Sequence, residues 1–73
     1  MARETIEAPM PGKVLKVLVS PGDNVHENDK VCVIESMKME NPIRARIGGR
    51  VVAVDIREGV TVSAGQVLVV LES

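Results

Sequence analysis

The chain matches itself at an offset of 37 residues, and no other feature limits its fold as much. Without a gap, Ile6 falls on Ile43, Ala8 on Ala45, Gly12 on Gly49, Val14 on Val51 and Val17 on Val54. The agreement continues with Gly22 on Gly59, Val25 on Val62, Val33 on Val70 and Glu35 on Glu72. Matched glycines within near-unbroken apolar agreement read as duplication of one structural unit, with halves at 6–35 and 43–72. The segment left between them, 36–42, holds Lys38, whose counterpart would be position 75, beyond the last residue Ser73.

At 73 residues the chain is expected to be a single domain, 1–73, near the size at which one core only just offsets chain entropy. It has no Trp, Tyr or Phe, and Val plus Ile number 19 against four Leu. Side chains stiff at χ1 suit pleated strands, so the expected class is all-β. Glycine and proline cut the chain into short strands. Pro9, Pro11 and Gly12 separate an extended piece near Ile6 from Lys13–Val19, and Ser20-Pro21-Gly22-Asp23-Asn24 is a turn. A very short strand at Val25 and a turn at His26-Glu27-Asn28-Asp29 lead into Lys30–Ser36. The second half repeats this as Arg50–Ile56, a turn at Gly59, Thr61-Val62, a turn at Gly65 and Gln66–Leu71. Each half thus has about four strands and cannot bury its apolar face alone. Two such units packed face to face about a pseudo-two-fold axis would form a flattened sandwich or barrel, with Lys38 at one end and the termini near the related end.

Several function classes are disfavoured. A net charge of −1 with both signs interspersed, and no aromatic stacking platform, argues against nucleic acid. The longest apolar run, Val67 to Leu71, is far too short for membrane insertion. Met1-Ala2-Arg3-Glu4 lacks a signal peptide's apolar region, so a cytoplasmic location is expected. The start at Met1 and the lack of a Pro/Ala-rich linker fit a complete small protein or a domain cut at its edge. Cys32, the single cysteine, has no intrachain disulfide partner and reads as a small strand residue. His26 has no second His or Cys nearby, so no metal site is expected. Gly48-Gly49 precedes a strand pattern and not the helix a phosphate cradle needs. Arg44 and Arg46 read as a solvated face that could also guide docking. With no general base, metal or phosphate loop, no catalytic residue is assigned and the chain is not expected to be an enzyme.

The pattern around Lys38 is different. Strand 30–36 runs into 39–45 with room only for a tight hairpin centred on Met37-Lys38. Such turns favour Asn-Gly or Asp-Gly because their central residues need positive φ. Met-Lys ignores that preference while the rest of the chain obeys local rules, and function is a candidate cause. Simple alternation would send Met37 and Met39 to one side and Lys38 to the other. An exposed methionine pair is adaptable contact surface for a partner.

Glu35-Ser36-Met37-Lys38-Met39-Glu40, preceded by Ala8-Pro9-Met10-Pro11-Gly12 and Gly22-Asp23, resembles the biotinyl/lipoyl attachment family. It is most similar to biotin carboxyl carrier domains and stand-alone biotin/lipoyl attachment proteins, over residues 6–72. The resemblance implies a flattened barrel of two four-stranded antiparallel sheets with quasi-two-fold symmetry. It implies biotin covalently attached to Lys38 by biotin protein ligase, with Glu35, Met37, Met39 and Glu40 as ligase-recognition residues and Gly12 and Gly22 as turn glycines. The arm, roughly a dozen bonds of ~1.5 Å, would carry carboxybiotin between biotin carboxylase and carboxyltransferase or decarboxylase subunits. Ser36 stands where the commonest family form has Ala, and 20–24 leaves no room for the thumb insertion of some bacterial carriers. Two alternatives remain: a lipoyl carrier of a 2-oxoacid dehydrogenase or glycine cleavage system, holding lipoate on the same lysine, and an unmodified adaptor. Lipoyl domains usually flank the lysine with Asp and Ala, against which Met37 and Met39 count.

Overall fold

In the computed structural model, which describes residues 2–73, the chain forms eight strands. They are β1 (Arg3–Glu7), β2 (Gly12–Val17), β3 (Asn24–Val25), β4 (Lys30–Ser36), β5 (Met39–Arg44), β6 (Gly49–Val54), β7 (Thr61–Val62) and β8 (Val67–Glu72). Two antiparallel four-stranded sheets have the orders β1-β8-β6-β3 and β5-β4-β2-β7, and the molecule measures 36 × 17 × 17 Å. The all-β class and the two four-stranded antiparallel sheets are as expected.

One expectation needs correcting. The two halves do not lie face to face as separate layers. Each sheet takes two strands from each half: β1 and β3 flank β8 and β6 in one, and β5 and β7 flank β4 and β2 in the other. Adding 37 to β1, β2, β3 and β4 gives β5, β6, β7 and β8, so the same operation exchanges the sheets. A half alone would keep only its central ladder, β2–β4 or β6–β8, and would leave the pairings β1–β8, β3–β6, β4–β5 and β2–β7 unmade, and buried backbone groups must find partners. Interleaving satisfies them. The irregularities follow the same offset: the β2–β4 register shifts between Val14 and Lys16, and the β6–β8 register between Val51 and Ala53.

Alternation, interrupted at the register shifts where Val31 with Cys32 and Leu68 with Val69 are buried in succession, fills the interior with Val14, Val31, Ile34, Val51, Val62, Leu68, Val69 and Leu71, all essentially inaccessible. Cys32 is also fully buried, and its thiol is pushed up from 9.0 to about 11 by desolvation, which keeps it protonated and inert at neutral pH. Strand limits differ slightly from expectation. The second strand stops at Val17 and not Val19, and the sixth at Val54 and not Ile56, although Ile56 still reaches the core.

The two glycine turns have nearly the same backbone, with φ of 97° at Gly22 and 91° at Gly59. In each case a Cβ would meet nothing within 4 Å, so only conformation demands glycine there. Gly22→Val and Gly59→Val should therefore each destabilise by about 2 kcal/mol, since a β-branched residue is poorly accommodated at positive φ. Urea unfolding of the two variants checks this, and tolerance of both would remove the conformational account. Gly12, expected as a turn glycine, is instead the first residue of β2 and has no positive φ. Its need is space, because a Cβ there would collide with the Glu35 carbonyl oxygen and lie 2.5 Å from Ile34 Cγ2.

Candidate functional site

The β4–β5 pairing builds the site. Its register places Ile34 opposite Asn41, Glu35 opposite Glu40 and Ser36 opposite Met39, leaving Met37 and Lys38 as a two-residue connection. Both connecting residues have positive φ, 54° and 64°, the pattern of type I′ hairpins. Asn28, the other non-glycine residue at positive φ among the described residues, has a glycine, Gly65, at its repeat-related position. Two non-glycine residues are thus held where L side chains are disfavoured, at the tip of one end of the barrel.

Met37 is 92% exposed and Met39 67%, and Lys38 is exposed between them. Period-2 alternation does not govern Met37, as the sequence had suggested, because it lies in the turn and not in a strand. All five residues singled out by motif, Glu35, Met37, Lys38, Met39 and Glu40, come together on this hairpin and all are exposed. The site is a protrusion and not a cavity. A groove of about 360 Å³ between β1 and β5, lined by Glu4, Glu7, Pro9, Arg44, Arg46 and Ile47 among others, includes none of Glu35, Met37, Lys38, Met39 and Glu40.

The two ends of the barrel share a framework and differ in charge. At the terminal end, Arg3, Glu72 and Arg50 are consecutive cross-strand partners, with Arg3 Nε 3.3 Å and Arg50 Nη2 3.7 Å from the Glu72 carboxylate. At the hairpin end the repeat-related row is Glu40, Glu35 and Lys13. Glu40 thus stands where the terminal end has Arg3, directly opposite another glutamate. Like charges in that relation are mildly destabilising. Glu40→Arg should raise stability by about 0.5 kcal/mol by restoring an opposite-charge pair. Urea unfolding at low salt measures the gain, and a loss of stability would sink the comparison between the ends.

Other residues considered from the sequence are placed elsewhere. Arg44 donates from Nη1 to the Asn28 carbonyl at 2.9 Å, so it fastens a turn as well as facing solvent. His26 Nδ1 lies 3.7 Å from Asp29, and no group of three or more His, Cys, Asp or Glu among the described residues could hold a metal ion. Gly49 begins β6, with Gly48 in the connection just before it. One hairpin residue was not singled out: Asn41, whose Nδ2 donates to the Met39 carbonyl at 3.1 Å and to the Ile34 carbonyl at 3.4 Å. Asparagine beside a tight turn is too common for its position alone to have marked it.

The chain is similar to several known proteins in sequence and in fold. The family model described as "Biotin-requiring enzyme" matches residues 4–71. The biotin carboxyl carrier protein of Streptococcus mutans is 49% identical over 70 residues, covering 96% of this chain and 54% of that protein. The mitochondrial propionyl-CoA carboxylase alpha chain of Homo sapiens is 48% identical over 67 residues, 92% of this chain and 9% of its own length. Among solved structures, the Kluyveromyces lactis urea carboxylase superposes with a TM-score of 0.91 at 29% identity, over 99% of this chain and 6% of that one. The chain therefore spans about half the length of the Streptococcus protein and a small part of the two carboxylases.

Proposed function

The chain belongs to the biotin-requiring enzyme family, and from that membership we propose that residues 1–73 form a single biotin carboxyl carrier domain whose attachment site is Lys38. The observation that carries this reading is the exposed lysine at the tip of a rigidly paired hairpin, between two exposed methionines. The amine stands on an exposed tip, which suits a group held by a covalent bond and presented outward. When bound, biotin supplies a ring that takes up and releases a carboxyl group.

The chain's own residues do the rest. Lys38 Nζ attacks the activated acyl group brought by a biotin protein ligase, losing a proton as the amide forms and the activating group leaves. Met37 and Met39 offer flexible apolar surface to that ligase, and Glu35 and Glu40 add charge to the same face. The paired strands keep the attachment point fixed while the side chain and its adduct sweep through solvent. A tether of this kind raises the effective concentration at neighbouring active sites without release between steps. The domain is then a covalent substrate and not an enzyme. Its partners are the ligase together with biotin carboxylase and carboxyltransferase or decarboxylase subunits, and its location is cytoplasmic. No helix among the described residues is long and apolar enough to cross a membrane.

The test is intact mass after expression with biotin protein ligase and, separately, with lipoate ligase. One biotinyl group on Lys38 in the first case and no adduct in the second is the expected result. Modification by lipoate ligase alone would replace biotin with lipoate in this reading, and no adduct in either case would leave the adaptor.

A further inference from the structure

We propose that Asn41 is the positioning residue of the Lys38 hairpin, holding the turn in the shape that the modifying ligase engages; this rests on the assignment of Lys38 as the attachment site. Asn41 does not touch Lys38. Its Nδ2 donates to the carbonyl of Met39, two residues back on its own strand, and to the carbonyl of Ile34 across the ladder. A side-chain amide has two N–H donors, and here both are directed to main-chain oxygens at the base of the turn. The side chain is half-buried and lies opposite Ile34, which is fully buried, so the brace is anchored on the core.

The hairpin has reason to need such a brace. Its two central residues adopt positive φ without glycine or asparagine, and the next cross-strand pair below Ser36 and Met39 sets Glu35 against Glu40. Both features favour other conformations of the turn. The repeat supplies an internal comparison. The position related to Asn41 is Glu4 in β1, an exposed residue that leads into no hairpin and makes no comparable bond among the described residues. The clamp is therefore not part of the duplicated framework and occurs only where a lysine turn must be supported. Loss of the brace would leave only a fraction of molecules with a competent turn, and apparent affinity for a partner falls by that fraction.

Asn41→Asp keeps the shape and removes the donors, while Asn41→Leu removes them without adding charge. Both variants of the full chain should be assayed as substrates of biotin protein ligase, with amide hydrogen exchange followed in the same samples. The expected result is a KM for the carrier about tenfold higher with kcat unchanged, within the range expected for the loss of the two hydrogen bonds. Exchange at Met37–Glu40 should rise about as much, while Val51 and Val69 in the core keep parental protection. Acylation of Lys38 by a small biotin ester should proceed at the parental rate, because the amine itself is unaltered. An unchanged KM in both variants overturns the proposal, as does exchange that rises equally in core and hairpin. Absence of ligase modification in the parent chain would instead overturn the assignment of Lys38, and the exchange data would still decide whether Asn41 braces the turn.

Discussion

Lys38→Arg is expected to abolish attachment completely while leaving the fold intact. A guanidinium keeps the positive charge and a similar length, but it remains protonated at any workable pH and is no nucleophile toward an acyl group. Backbone demands at the tip are the same for both residues, and Lys38 is exposed. The change in stability should stay within about 0.5 kcal/mol, as for surface substitutions in general. Intact mass after expression with the ligase reads the first half of the expectation, and urea unfolding the second. An adduct on another lysine of the variant would show that the site is wrongly assigned, and unfolding would show that the side chain is more than a presented tip.

The largest effect on stability is expected at Gly12. Val at this position would thrust a branched side chain against the Glu35 carbonyl and Ile34 Cγ2, both held in the sheet, so neither can yield without disturbing β4. Overpacking of this kind costs about 3 kcal/mol. A domain of this size is stable by roughly 4–11 kcal/mol, so the variant should unfold at a much lower urea concentration. The repeat-related Gly49 provides a graded control, since a Cβ there would lie 3.0 Å from the Glu72 oxygen and 3.6 Å from Leu71 Cβ. Gly49→Val should therefore unfold between Gly12→Val and the parent. Equal midpoints for all three would mean that close approach of backbone is not what these glycines permit. Because β4 runs directly into the lysine hairpin, Gly12→Val should also impair modification, whereas Gly22→Val should reduce stability alone.

Much of this protein is legible in its sequence, for reasons that can be named. Val/Ile enrichment, punctuation by glycine and proline, and the 37-residue offset act through local backbone preferences and alternation, and these operate within a few residues. They locate the strands to within one or two residues, the positive-φ glycines at 22 and 59, and the hairpin at Met37-Lys38. The motif around Lys38 is likewise contiguous, so its residues are adjacent in any fold with that turn. Gly12 was visible as a required glycine but not for the right reason, because its demand is set by Glu35, a residue of another strand.

Tertiary structure alone decided how the halves combine. Periodicity specifies which face of a strand is apolar but not which strand it pairs with, and the pairing that satisfies every ladder interleaves the two repeats. The same interleaving sets Arg3 and Arg50 on Glu72 at the terminal end, a long-range row that no linear reading could reveal, whereas the hairpin alone already sets Glu40 against Glu35. It also turns Asn41, one polar residue among many in the sequence, into a clamp on the attachment hairpin, because a hydrogen bond depends on where two chain segments meet in space.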